Sequence, residues 1–311
     1  MDLLADVLAV SGVRGTVGAR IEAGSTWGYW LDYDRGASFH AVTAGTAWLA
    51  APGSEPFQLM PGDVVLLPRG TRHLIASDAD TAQRSVDTPS DPYEQTGTGV
   101  VRIGHGDVRT HILCASYAYD PAIATQVLPL LPDVVHVRGV GPGSGLDDTV
   151  RLLGCELARP KLATAVILDR LVDILLVQLL RVWLEEEHGD ANGSWLGALG
   201  DPVTRDALAR IHDEPARPWT TETLAAELAV SRATLTRRFR QVVGMAPAAY
   251  VAQWRMDLAA RRLRDTDDTL ESIARAVGYT SVYAFSRAFS RARAQPPGRF
   301  RATARAERVA A

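Results

Sequence analysis

Cysteine is scarce in this sequence: Cys114 and Cys155 are the only two in 311 residues. Two thiols in a chain of that length do not make a disulfide framework, and a reduced intracellular protein is expected. Long apolar runs are missing as well. The most apolar stretch, Leu171 to Leu184, is interrupted by Asp173, Gln178 and Arg181. It falls short of the roughly 18 uncharged residues a membrane span requires, so it is expected to be a buried or dimer-forming helix. The start, Met1-Asp-Leu-Leu-Ala-Asp, lacks the positive charge of a secretory signal. These absences exclude a disulfide-stapled secreted domain and a helical membrane protein. The expectation is a cytoplasmic chain with no membrane partner.

Charge is present but unevenly placed. Through Gly200 there are 24 acidic and 14 basic residues, and from Asp201 onward 12 acidic and 19 basic. Such a split predicts two domains with different partners, and the basic end is the candidate for nucleic acid.

The hydrophobic pattern divides the chain in the same way. Residues 1–10 read as a short helix with Leu3, Leu4, Val7 and Leu8 on one face and Asp2 as its cap. From about 13 to 76, aromatic and β-branched runs alternate with Gly and Pro, as strands do. Residues 77–99 are polar and predict a loop, and strands return near 100–103 and 110–117. Residues 147–159 and 161–187 predict two helices separated by Pro160, and the domain boundary is placed at 188–200. Beyond it, helices are expected at about 203–213, 220–229, 231–243, 247–264, 269–277 and 281–292, with a seventh at 296–305.

The C-terminal helices contain a repeat. Ser231, Leu235, Phe239, Pro247 and Tyr250 recur as Ser281, Phe285, Phe289, Pro297 and Phe300, each 50 residues on. Leu224, Ala225 and Leu228 recur as Ile273, Ala274 and Val277 after 49. The one-residue difference falls in a turn. Each copy has the layout of a helix-turn-helix, whose second helix enters the major groove. The first recognition helix is expected to offer Arg232, Thr234, Arg237 and Arg238, and the second Val282, Tyr283, Ser286, Arg287 and Arg291. Arg bonds guanine bidentately in the groove. Ser231, Ser281, Thr220 and Thr269, at helix starts, suit phosphate. Ala248 to Arg264 would form a helix of about 25 Å holding the two units apart.

Residues 204–301 resemble the DNA-binding domain of the AraC/XylS family of transcription regulators. The likeness rests on Trp219-Thr-Thr-Glu-Thr-Leu-Ala, Ser231-Arg-Ala-Thr-Leu-Thr-Arg-Arg-Phe, Gly244-Met-Ala-Pro-Ala-Ala-Tyr, Trp254-Arg-Met, Ala274-Arg-Ala-Val-Gly-Tyr and Phe285-Ser-Arg-Ala-Phe. The family usually has a Phe and a Gly where Arg293 and Ala294 stand, so the last turn is expected to pack more loosely.

Upstream, Gly62-Asp-Val-Val-Leu-Leu-Pro68-Arg-Gly70-Thr-Arg-His73 fits the second cupin motif at every position, and His40 occupies the place of the first. Residues 1–190 resemble the cupin-type sensor domain often fused ahead of AraC-type domains. The fold class implied is α+β with two domains: a cupin-like β-barrel with flanking helices (1–190) and an all-α domain with two helix-turn-helix units (200–305). A cupin enzyme offers three His and one Glu, but Val42 replaces the second His and no Glu occurs between 43 and 50. No cofactor is therefore required. A metal at His40 and His73, joined by His111 or Cys114, stays an open alternative, although three or four ligands are normally needed. A small-molecule effector inside the barrel is expected against Trp27, Trp30, Phe39, His40, Trp48 and His73. The functional expectation is a homodimeric, ligand-responsive regulator, not an enzyme, that binds specific double-stranded DNA and works with RNA polymerase. The alternatives are a cupin metalloenzyme with a DNA-binding tail and a ligand-free interaction module.

Overall fold

The computed structural model describes residues 3–32, 36–84, 90–96, 99–119, 128, 131–139, 143–186 and 201–310. The chain is an α+β protein of two compact units. One holds Arg14–Tyr119 and Leu131–Glu186; the other holds the helices from Pro202 onward together with the first helix, α1 (Leu3–Ser11). The expected boundary at 188–200 and the Asp2 cap lie outside the described residues. Among those residues no helix is long and apolar enough to cross a membrane.

The first unit is built on strands β1 (Arg14–Ser25), β2 (Gly28–Leu31), β3 (Ala37–Ala44), β4 (Ala47–Ala50), β5 (Phe57–Leu59), β6 (Val64–Leu67), β7 (His73–Ala76), β8 (Tyr93–Thr96), β9 (Val100–Ile103), β10 (His105–Ala118) and β11 (Val135–Val137). They form a seven-stranded sheet in the order β11-β6-β3-β10-β1-β9-β8 and a four-stranded sheet in the order β2-β7-β4-β5. Alternation of side chains along each strand fills one core between the sheets. Ile21 and Ala23, Val42, Leu49, Val65 and Leu67, Ile75, Ile112 and Cys114 point into it beside Trp27. The expected loop over 77–99 holds a one-turn helix, α2 (Ala79–Ala82), capped by Asp78, as well as β8.

Two helices belong to this unit. Helix α3 (Gly145–Ala158) starts at Ser144, whose Oγ accepts from the Asp147 amide at 3.0 Å. Helix α4 (Thr164–Glu186) packs on β1, and the Tyr117 hydroxyl donates to the Val172 carbonyl at 2.9 Å. Of the two readings of Leu171 to Leu184, a buried or a dimer-forming helix, the stripe Val172, Leu175, Leu176, Leu179, Leu180 and Trp183 follows the first, for all are buried. The apolar side chains left open near this helix pair are Leu152, Leu162, Val166, Ile167 and Ile174. A stripe wide enough for two neighbours has its richer side against its own sheet.

The helical unit contains α5 (Pro202–Asp213), α6 (Thr221–Glu227), α7 (Arg232–Val243), α8 (Pro247–Asp265), α9 (Leu270–Ala276), α10 (Val282–Arg293) and α11 (Pro297–Ala310). Helix α1 packs with α5 and α8. The first half closes around Leu224, Leu235, Phe239, Tyr250 and Trp254. His212 stacks on Trp254 at 3.7 Å between ring centres, and its Nε2 meets the Tyr250 hydroxyl at 2.8 Å. The second half closes around Leu263, Ile273, Val277, Phe285, Phe289 and Phe300. Each fully buried Phe stabilises the fold by about 1.5–3 kcal/mol.

The last turn is tighter than the sequence suggested. Arg293 is buried and forms an ion pair with the fully buried Asp257 of α8, tying α10 to that long helix. Ala294 takes the left-handed conformation that ends α10, at φ +54°. A charged residue replaced the family's apolar one, and a buried carboxylate stands opposite it.

Candidate nucleic-acid interface

Burial decides which residues of α7 are free. Leu235 and Phe239 are fixed in the core, so the helix can turn only one way. Two rows at helical spacing then face outward: Arg232, Thr236, Arg240 and Ala233, Arg237, Gln241. Together with Thr220, Thr221 and Glu222 they line a broad groove. Four expected contacts can be placed on this helix. Arg232 and Arg237 are exposed on the groove wall. Thr234 belongs to the cap, its amide donating to Ser231 Oγ at 3.0 Å. Arg238 is turned away and donates to Asp201, the N-cap of α5, at 3.0 Å. Thr236, Arg240 and Gln241 were missed. The i, i+4, i+8 spacing from Arg232 and Ala233 would have found them.

Helix α10 repeats the arrangement. Phe285 and Phe289 are buried, half-buried Val282 packs against their cluster, and the outward rows are Ser286, Ser290 and Tyr283, Arg287, Arg291. Four of the five expected residues lie on these rows, and Val282 faces the core instead because it is three residues before Phe285 on the same side of the helix. Tyr283 is 71% exposed, and the Arg287 guanidinium stands 5.7 Å from its ring centre. Ser281 Oγ accepts from the Ala284 amide, as Ser231 does for α7. The start of α9 adds a smaller groove lined by Thr269, Glu271, Ser272 and Arg275.

The turns are equivalent despite their different lengths. The Val230 amide donates to the Ala225 carbonyl at 3.0 Å, and the Tyr279 amide to the Ala274 carbonyl at 2.8 Å. Both turns need a left-handed residue, Ala229 at φ +53° and Gly278 at φ +80°. Only the second demands glycine, because a Cβ there would stand 2.7 Å from the Ala216 carbonyl oxygen. Arg255 of α8 donates to the carbonyls of Pro215 and Arg217, each at 2.7 Å. These contacts tie α8 to the loop between α5 and α6.

Residues 2–185 match a cupin family model and residues 224–303 a helix-turn-helix domain model. The chain is 37% identical over 306 residues to an AraC-like transcription regulator of Streptomyces lividans, covering 97% of this chain and 98% of that one. It is 34% identical to another of Streptomyces antibioticus, with the same coverage. The chain belongs to the AraC-like transcription regulators. Its helical part is also similar to the DNA-binding domain of AdpA, solved in complex with a target DNA, at 32% identity over 35% of this chain and 96% of that one, with a TM-score of 0.33. With its helix-turn-helix domain and its membership of this family, the AraC-like regulator binds DNA in controlling transcription.

In the sheet unit of the regulator, His40, His73 and Cys114 form a buried chain. His73 Nδ1 lies 2.7 Å from the Thr71 carbonyl, which only accepts, so this nitrogen carries the proton. Its Nε2 then accepts from His40 Nε2 at 2.7 Å, and His40 Nδ1 accepts from the Cys114 thiol at 3.1 Å. Burial enforces the neutral forms. It pushes His73 down to about 4, holds His40 well below the usual imidazole range, and pushes the Cys114 thiol up to about 12. The metal alternative does not fit these residues. The two Nε2 atoms bond each other directly at 2.7 Å, Cys114 meets the opposite nitrogen of His40, and His111 sits on the other face of β10 beside Arg20, so neither joins the pair as a third ligand. Among the described residues no group of three or more His, Cys, Asp or Glu is placed to hold a metal ion.

The expected effector residues do not gather on one wall. Trp27, His40 and His73 face the core between the sheets, where each is fully covered. Phe39 has the opposite parity to Val42 and lies beside Leu66 and Ala115 on the helix-covered face. Trp30 and Trp48 pack with Leu74, Ala76 and Ala82 on the outer face of the small sheet. The period of two along each strand separates residues that composition alone had grouped.

Proposed function

We propose that the regulator binds a specific double-stranded DNA site by seating α7 and α10 in successive major-groove segments on one face of the duplex. The observation that carries this is the pair of exposed rows, Arg232–Thr236–Arg240 with Arg237, and Tyr283–Arg287–Arg291, on helices held by one α8. At 19 residues α8 is about 28 Å long, close to the roughly 34 Å between groove segments on one face. Arg237 and Arg287, related by the 50-residue step, are the base-reading pair, and Tyr283 suits a thymine methyl group. Ser231, Ser281, Thr220 and Thr269 position phosphates through the helix N-termini they cap. The regulator works as a cytoplasmic homodimer that engages RNA polymerase and answers a small-molecule effector bound in the sheet unit. Leu162, at 97% exposure, with Val166, Ile167 and Ile174, supports a second copy as the cover of that patch.

Selection of genomic fragments on the purified full-length protein at physiological salt tests this reading. One enriched motif with two contact blocks about ten base pairs apart is expected. Arg237→Ala and Arg287→Ala should each weaken binding by about 1–3 kcal/mol and relax one block. Retention without sequence preference, or none, overturns the reading.

A further inference from the structure

Helix α3 lies over the outer face of the large sheet without closing on it. Two cavities run beneath. One, of about 230 Å³, is walled by Ala41, Val64 and Asp147; the other, of about 510 Å³, by Arg20, His111, Leu113, Cys155 and Arg159. Thr43, Val150 and Arg151 line both, so the two are chambers of a single cleft. Its size is that of a small-molecule site, about 300–1,000 Å³.

The helix is built to leave this space open. Gly154 lies on the cleft wall in the middle of α3, where glycine costs about 1 kcal/mol against alanine. A Cβ at this position meets nothing within 4 Å, so no close approach accounts for the glycine. One turn on, the wall is again small, at Ala158.

Charge orients whatever enters. The larger chamber has Arg20, Arg151 and Arg159 on its wall and no acid. Glu22, the neighbouring carboxylate, is held by Arg20 at 2.9 Å and by Arg102 at 3.2 Å. Arg151 pairs with the exposed Asp148, and among the described residues Arg159 has no ion-pair partner. Burial and the Arg20 guanidinium lower the pKa of His111, whose Nδ1 lies 3.0 Å from that guanidinium. In the smaller chamber Asp63 accepts from the Met60 and Gly139 amides, and Asp147 stands in the first turn of α3. One end is therefore cationic, apolar side chains run between, Leu113 and Val64 on the sheet and Val150 on α3, and the far end carries Asp147 and Asp63, the latter 3.1 Å from His136.

We propose that this cleft, rather than the core between the sheets, is the effector site, and that it takes a small organic anion with an apolar body. The anionic group sits at Arg159 and Arg20, and the body lies under Gly154 along Val150. This deepens the ligand-responsive reading above and rests on it.

The test titrates the full-length protein with 8-anilinonaphthalene-1-sulfonate, an apolar anion whose fluorescence rises on burial. One saturable site is expected. Gly154→Leu, which fills the cleft while favouring the helix, and Arg159→Ala should each weaken it by at least about tenfold. The uncharged N-phenyl-1-naphthylamine should bind weaker by a similar factor. Saturating anion should slow iodoacetamide labelling of Cys155, the exposed thiol, while buried Cys114 gives no background. Unchanged affinity in both variants, or an unprotected Cys155, overturns the assignment. DNA selection on the same preparations separates the two readings. Loss of specific DNA binding with anion binding intact sinks the regulator reading, and specific DNA binding with no anion site sinks the cleft.

Discussion

Removing the Arg293 side chain tests how the second recognition helix is held. Asp257 is 0% exposed and Arg293 is 7% exposed, so their ion pair is out of water on both sides. Bringing two charges inside costs several kcal/mol per ion, and their attraction roughly offsets it. Arg293→Ala leaves the carboxylate buried without that partner, which destabilises by about 3–5 kcal/mol. For a helical unit of about 110 residues, at roughly 4 °C per kcal/mol, its Tm should fall by about 12–20 °C. Arg293→Met with Asp257→Leu removes both charges and should recover most of that loss. Scanning calorimetry of the full chain gives both numbers, with DNA binding by Arg287 as a functional readout. A loss below about 1 kcal/mol in Arg293→Ala, or a double variant no better than the single, would refute the ion-pair account.

The left-handed alanines give a contrasting pair of outcomes. Ala229→Gly and Ala294→Gly should each stabilise by about 0.5–1 kcal/mol, whereas Gly278→Ala should destabilise by more because of the Ala216 carbonyl 2.7 Å away; denaturant melts distinguish them. Acid should weaken both units. In the unfolded chain His212 and His73 take a proton near 6.5, while burial pushes them down to about 3 and about 4 in the fold. Stability is therefore complete above pH 6.5 and falls as pH drops towards those values. Urea midpoints at pH 7.5, 6 and 5 should decline in order, and flat midpoints would contradict the burial argument. Finally, Arg240→Ala should weaken DNA binding and reduce the magnitude of its salt slope by about one. Arg238→Ala should leave that slope unchanged and lower stability through loss of the Asp201 contact.

The helical half was legible because its signals are local. Ser231, Ser281, Thr220 and Thr269 mark helix starts, Pro247 and Pro297 mark others, and a 50-residue step shows two copies of one unit. A helix with two buried side chains at i and i+4 has its outward face decided too, which is why four of the five residues expected on α10 lie there, while Val282 packs on the core. On α7 the same rule was available, yet Thr236, Arg240 and Gln241 were passed over for Thr234 and Arg238. Thr234 stands three residues after the Ser231 cap, which the sequence itself marks, whereas Asp201, the partner of Arg238, is 37 residues away and is brought there by packing.

In the sheet half, the sequence by itself determined most of the strands, though not β8 or β11, and where the cupin-like turn of Gly62 to His73 falls. Which strand lies beside which, and which wall a side chain faces, depends largely on pairings between distant residues, such as Arg14 with Ala118 and His40 with Val65. The tertiary structure alone decided that Phe39 belongs to the helix-covered face, that Trp30 and Trp48 lie outside the small sheet, and that His40 meets His73 and Cys114. It also decided that Arg293 finds Asp257, 36 residues away. Capping and periodicity act within one helical turn and are written in neighbouring residues. Register, buried ion pairs and the cleft beneath α3 arise from long-range packing, which no local pattern encodes.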